Sequence, residues 1–253
     1  MRRFFVFVLV AAIGLAVHAV ASSAALRFDV QSWSWQGMFG RYDTAQLRRG
    51  FQVYSEVCAN CHGLRLVAYR NLSAIGFSDE EIKSIAAEKE VQDGPNEQGE
   101  MFTRFARPSD RFVSPYANDQ AARVANHGAL PPDLSLMAKA RTGGPDYLYS
   151  LLTGYEDPPS GVILTPGMNY NKVFPGHQIA MPQPLFEDMV TYDDSTSSSL
   201  PQLAQDVTAF LNWTAEPELD GRHALGLKTL AFLVLLTGLL YALKRQIWSD
   251  VHG

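Results

Sequence analysis

Cysteine is almost absent from this chain: 253 residues hold two, Cys58 and Cys61. None remains for a disulfide elsewhere. A structural zinc site of paired ligands is excluded too, because no second Cys or His pair stands at matching spacing. A basic surplus is also missing. The formal net charge is −5, and residues 22–223 carry 16 Lys and Arg against 25 Asp and Glu, a net −9. Such an acidic domain is unsuited to nucleic acid. There is no internal repeat, and the one low-complexity run is Ser195 to Ser199. Strand signals are short and weak, which excludes an all-β architecture.

The two cysteines stand together in Cys58-Ala59-Asn60-Cys61-His62. Cys-x-x-Cys-His is the attachment signature of c-type haem. Each thiol adds to one vinyl group as a thioether, and the following histidine is placed to ligate the iron. A thioredoxin-like pair would expect a βαβ context and has no use for His62. A disulfide across two residues is strained. The motif therefore predicts one haem c held by Cys58, Cys61 and His62, and an oxidising compartment outside the cytoplasm.

Both ends agree with export. Arg2 and Arg3 precede the apolar stretch Phe4 to Val17, and Ala19-Val20-Ala21 fits a cleavage site. Residues 1–21 read as a signal peptide rather than a span, being short for the latter. Leu225 to Leu243 reads LGLKTLAFLVLLTGLLYAL, with Lys228 as its one charge. At ~1.5 Å per residue it crosses most of a ~30 Å hydrocarbon core. Lys228 can snorkel, and Lys244 and Arg245 mark the cytoplasmic side. The expected layout is a periplasmic haem domain over 22–223, a transmembrane helix over 224–245 and a cytoplasmic tail over 246–253. The site would then be the bacterial inner membrane, crossed once.

Between the ends the chain reads as mainly α with long loops. Asp43 or Thr44 caps a helix carrying Leu47, Phe51, Tyr54 and Val57, which delivers Cys58 at its end. Ser199-Leu200-Pro201-Gln202 resembles a capping box, followed by the stripe Leu203, Val207, Phe210, Leu211 and Trp213. Helices before and across the haem motif are the plan of a class I cytochrome c. Short helices are expected at 79–87, 134–141 and 146–152, the last stopped near Gly154. With so few elements, haem should supply much of the core.

An electron carrier needs a sixth iron ligand, and Met opposite His raises the potential. The candidates are Met38, Met101, Met137, Met168, Met181, Met189, His127, His177 and His223. Met137 reads as core, on the apolar side of a short helix. Met181 precedes the C-terminal helix and is stiffened by Pro182 and Pro184. Met168, in Pro166-Gly167-Met168, is the next choice.

Longer stretches resemble a known family. They are RGFQVY (49–54), VAYR (67–70), VQDGPN (91–96), GALPPDLS (128–135), YLYSLLTGY (147–155), Phe174-Pro175-Gly176, Ala215-Glu216-Pro217 and Gly226-Leu227-Lys228. The chain is similar over nearly its whole length to the cytochrome c1 family, bacterial type, the haem subunit of ubiquinol–cytochrome c reductase (the cytochrome bc1 complex). The resemblance implies His62 and Met181 as axial ligands. It also implies Asn126 and Pro131 lining the haem pocket, and Arg141 and Tyr147 on the propionate side. Arg141 would otherwise be a solvated cation in a last helical turn with Gly143 as cap, and Tyr147 ordinary core. The implied partners are cytochrome b, a Rieske iron–sulfur protein that donates electrons and a soluble or membrane-tethered cytochrome c that accepts them.

Two acidic clusters suit docking of a basic cytochrome c: Glu88, Glu90, Asp93, Glu97 and Glu100, and Glu187, Asp188, Asp193 and Asp194. Two rival readings are a haem peroxidase with an open iron position and a tethered cytochrome c shuttle acting alone. The long shared stretches argue against both. The chain by itself carries electrons; the enzyme is the complex.

Overall fold

The computed structural model describes residues 28–249. The expected signal peptide, 1–21, and the last four residues of the expected tail lie outside the described residues.

Helix α1, Thr44–Glu56, starts where Asp43 accepts from Ala45 N at 2.9 Å and Gln46 N at 3.3 Å, satisfying two orphan donors. Its buried face is Leu47, Gly50, Phe51, Val53 and Tyr54. Helix α2, Asp79–Ala87, has the bounds expected, and a second such cap opens it. Ser78 Oγ accepts from Glu81 N, and Glu81 reaches back to Ser78 N at 2.7 Å, closing a capping box. Two short antiparallel ribbons follow. Strands β1, Glu90–Asp93, and β2, Phe102–Phe105, pair from Glu90↔Phe105 to Asp93↔Phe102. Then come helices α3, Asp119–Ala125, α4, Met137–Ala140, and α5, Gly144–Thr153. Strands β3, Asn169–Tyr170, and β4, Gln178–Ile179, form the second ribbon. Helices α6, Leu200–Ala215, and α7, Leu219–Ser249, complete the described chain.

The crossing of α1 on α6 sets the frame. A Cβ built on Gly50 would lie 2.0 Å from the Asp206 carbonyl oxygen, so only glycine lets the two backbones meet here. Phe51 and Tyr54 then meet Phe210 at ring separations of 5.7 Å each. Tyr69 stacks on Phe112 at 4.4 Å, and Trp33 on Trp35 at 4.8 Å. All these side chains are buried. The protein's own core is therefore built of aromatic as well as aliphatic side chains. Aromatic residues from the loops before α1 and between α1 and α3 join the helical stripe.

Three local expectations are corrected. Ser199 stands at the N-cap of α6 but makes no side-chain cap bond. Pro201 in the first turn brings no N–H. Gln202, instead of reaching back, donates to Asp206 Oδ1 at 2.9 Å. The helix expected over 134–141 forms only at Met137–Ala140. Leu134 N is drawn to Gly63 O and Ser135 N to Asp133 Oδ1 instead. Helix α5 starts two residues earlier than expected, behind Gly143 at φ +90°.

Helix α7 is 31 residues long, and its most apolar 18-residue window is entirely exposed. It is long and apolar enough to cross a membrane. It also begins earlier than the expected span, and Leu219 is buried against the domain.

Candidate haem attachment site

The motif occupies the turn that ends α1. Cys58–Asn60 is one 3-10 turn, with Cys61 N and His62 N both donating to Cys58 O at 3.1 and 2.9 Å. Asn60 Nδ2 donates to Glu56 O and Val57 O, absorbing carbonyls that the helix end leaves unpaired. Tyr54, two turns earlier, donates its hydroxyl to His62 O at 3.1 Å. Cys58 and Cys61 are both free thiols, and burial pushes the Cys58 thiol up to about 12.

The His62 ring is fixed from the other side. Its Nδ1 lies 2.7 Å from the Pro132 carbonyl oxygen. A carbonyl can only accept, so Nδ1 carries the proton. Burial lowers the imidazole pKa, favouring the neutral ring. In that tautomer the Nε2 lone pair is available to a metal. The segment holding Pro132 is itself pinned to the residues after the motif. Leu134 N donates to Gly63 O at 2.9 Å, Arg65 N to Asp133 Oδ2 at 2.9 Å, and Leu66 N to Ser135 Oγ at 3.1 Å. Two unpaired thiols on one turn, with a histidine whose Nε2 is turned to acceptor use, form a donor set that fits a c-type haem.

The other expected residues lie around this turn. Pro131 is half-buried, next to Pro132. Half-buried Asn126 caps the end of α3, donating to Ala122 O at 2.7 Å and Tyr116 Oη at 3.0 Å. Arg141 is exposed just past α4, and Tyr147 is buried in the first half of α5. Burial raises the Tyr147 phenol, and the nearby Arg141 charge opposes that rise. Arg141 and Tyr147 are thus brought together. Gly143 serves the start of α5 rather than capping α4.

The candidate sixth ligands separate by environment. Met137 is buried core, as expected. Met38, Met101 and Met189 are exposed. His223 is bonded to Gly40 O, and His177 stacks on Tyr170. Met168 and Met181 are half-buried, and both sit at the same end of the β3–β4 ribbon, just outside the Asn169↔Ile179 pair. Their backbones differ. Tyr155 Oη and Asn169 Nδ2 both donate to the Met181 carbonyl, at 3.1 and 3.3 Å. These two donors were not picked out from the sequence, although Tyr155 ends the shared stretch 147–155.

The acidic clusters are partly neutralised. Asp93 pairs with Arg104, which also holds Asp110, and Asp194 pairs with Arg49 at 2.8 Å. Glu88, Glu90, Glu97, Glu100, Glu187, Asp188 and Asp193 are exposed.

A helical domain with this attachment turn and an apolar C-terminal helix defines a c-type cytochrome of the membrane-anchored kind. Comparison with known proteins narrows the class. Residues 33–251 match the Cytochrome C1 family. The chain is 53% identical over 249 residues to cytochrome c1 of Rhodospirillum rubrum, covering 92% of each. It is 51% identical over 232 residues to the mitochondrial cytochrome c1 haem protein of Saccharomyces cerevisiae, covering 91% of this chain and 75% of that one. Identity to the cytochrome b/c1 protein of Bradyrhizobium diazoefficiens is 45% over 242 residues, which is 87% of this chain and 35% of the relative. The chain belongs to the cytochrome c1 family, whose members are haem-containing electron-transfer subunits of the cytochrome bc1 complex.

Proposed function

We propose that this subunit carries electrons from a Rieske iron–sulfur protein to a soluble or membrane-tethered cytochrome c. The observation that supports it most is the His62 ring, held by the Pro132 carbonyl with Nε2 left to ligate iron. Cys58 and Cys61 would hold the haem through two thioethers, with His62 and Met181 as axial ligands. When bound, the haem supplies the one-electron couple that joins donor to acceptor. The chain's own residues position and tune. Arg141 and Tyr147 offer a cation and a phenol to the propionates. Asn126 and Pro131 would line the pocket. Tyr155 and Asn169 steady the loop of Met181.

Cytochrome b is the proposed membrane partner. The Bradyrhizobium relative, named cytochrome b/c1, aligns with this chain over 35% of its length. Helix α7 would anchor the domain in the bacterial inner membrane, with the haem domain in the periplasm and Lys244 and Arg245 on the cytoplasmic side. Residues 1–21 would be removed as a signal peptide. Mild detergent extraction followed by spectroscopy tests the whole reading. A reduced c-type spectrum that copurifies with cytochrome b and Rieske protein supports it. A haem protein that purifies alone supports the shuttle, and one that turns over peroxide supports the peroxidase.

A further inference from the structure

The loop before α1 is a closed turn whose tip carries two large apolar side chains in water. Gln36 N donates to Trp33 O at 3.1 Å, Gly40 N to Gly37 O at 3.3 Å and Arg41 N to Ser34 O at 3.0 Å. Gly37 has φ +80°. A Cβ on Gly40 would fall 2.3 Å from Gln36 O, so the turn is packed against its own backbone. Behind the tip, Trp33 and Trp35 are buried, and Trp33 Nε1 donates to Asp146 Oδ1 at 2.7 Å. In front of it Met38 is 58% exposed and Phe39 75% exposed. A closed turn that presents two adjacent large apolar side chains outward at its tip marks a contact surface.

Its position says what covers it. Gly40 O is 2.9 Å from His223 Nδ1, and Tyr42 N donates to Asp220 Oδ1 at 3.2 Å. The turn is therefore bonded to the first two turns of α7. The exposed apolar surface of α7 begins at Leu225, two residues beyond His223. At ~1.5 Å per residue that is ~3 Å further along the axis. Phe39, next to Gly40, thus stands at the level where the helix becomes apolar, and Arg41, on its other side, is exposed. Apolar side chains at a bilayer boundary with a cation beside them are the composition that binds the interfacial layer.

We infer that the turn at residues 37–39 is a second membrane contact, placing Met38 and Phe39 in the lipid interface beside α7. Helix α7 alone would tether the haem domain; the turn adds a second point and fixes its tilt. The inference rests on α7 being the anchor.

Spin labelling of the holoprotein in phosphatidylcholine nanodiscs tests it. Thioether-bound Cys58 and Cys61 leave no other thiol, so Phe39→Cys, Phe232→Cys and Ile163→Cys each give one labelled site. Ile163, 89% exposed in the loop between α5 and β3, is the aqueous control. The expected result is a ratio of oxygen to nickel-chelate collision several-fold higher at 39 and 232 than at 163. An aqueous ratio at 39 with a lipid ratio at 232 overturns the second contact and leaves the anchor standing. Aqueous ratios at both overturn both. Protection of position 39 from both reagents shows a protein neighbour instead of lipid and also overturns the inference.

Discussion

His62 Nδ1 lies 2.7 Å from the Pro132 carbonyl oxygen, across 70 residues of chain. That contact joins the attachment turn to the 128–135 segment, which is also tied to the residues after the turn by Asp133, Leu134 and, last, Ser135. Its hydroxyl takes the Leu66 N–H at 3.1 Å in a fully buried position. Ser135→Ala removes that bond, which is part-buried beside half-exposed Leu66, at a cost of about 0.5–1.5 kcal/mol. Thermal unfolding should show a Tm lower by roughly 2–4 °C per kcal/mol for a domain of this size. An unchanged Tm would mean that the Leu66 N–H finds another acceptor.

The ribbon predicts how the iron potential is tuned. If Met181 ligates the iron as proposed, Met181→Leu should keep the haem attached and lower the potential sharply, because a thioether ligand favours ferrous iron. Tyr155→Phe removes one of two donors to the Met181 carbonyl and leaves the side chain untouched. It should give a smaller drop with the same sign. Redox titration separates the two variants. A wild-type potential and spectrum in Met181→Leu would turn attention to Met168, at the same end of the ribbon.

The α1–α6 crossing carries a buried carboxylate. The Asp206 side chain has no exposure, and Arg49 Nε holds it at 2.9 Å. The paired carboxylates hold the Arg49 guanidinium above its usual range despite the opposing effect of burial. Arg49→Met leaves Asp206 unpaired, and removing one partner of a buried pair costs about 3–5 kcal/mol. The double substitution Arg49→Met, Asp206→Leu should recover much of that loss in denaturant unfolding. Equal losses in the single and double variants would show that packing, not charge, dominates there.

Much of this was legible in the chain. The attachment motif states its chemistry in five residues, and the cap at Asp43 with the stripe Leu47, Phe51, Tyr54 announces α1. What was hidden depends on distant partners. The Ser199 pattern resembles a cap, but Pro201 removes one of the two N–H groups that an N-cap side chain can take, and Asp206 captures the Gln202 side chain. The capping box at Ser78 and Glu81 opens a helix whose bounds, Asp79–Ala87, match those that the sequence predicts. Nothing local in Tyr155 or Asn169 points to Met181. The Asn169 bond follows from the pairing of Asn169 with Ile179, and the Tyr155 bond from a bridge between Tyr155 and Asn171. The Tyr69–Phe112 stack likewise joins distant segments whose residues carry no periodic signal.

Acid should weaken the fold through identifiable pairs. Arg104 beside Asp110 holds that carboxyl at about 2, and bonds from Thr196 and Arg49 hold Asp194 at about 2. The folded pKa is depressed in both. Their stabilisation is present above the unfolded value of ~3.9 and is lost as pH falls from there toward the folded values. Urea midpoints should therefore be flat near neutrality and drop between pH ~4 and ~2. Arg104→Gln should lower the midpoint at neutral pH and shrink the acid drop. An unchanged acid slope in that variant would assign the loss to other groups.

The last prediction concerns the acceptor. If acidic residues steer a basic cytochrome c, its reduction by the complex should slow as salt rises, because exposed charges are screened within ~8 Å at physiological ionic strength. The ion pairs change which residues belong in the test. Asp93 and Asp194 are engaged with Arg104 and Arg49, so their fields are partly cancelled. The effective set is Glu88, Glu90, Glu97 and Glu100 on and beside the β1–β2 ribbon, and Glu187, Asp188 and Asp193 before α6. Neutralising either group to Gln or Asn should flatten the salt dependence if that group faces the acceptor. Electron arrival from the Rieske protein should hardly change, being an event within the complex. Neutralising Asp93 or Asp194 instead should act on stability more than on docking, since each change strips a partner from an arginine. A steep salt dependence that survives both sets would show that other charges guide the acceptor. Salt-independent reduction in the unmodified complex would fit an acceptor tethered to the membrane beside it.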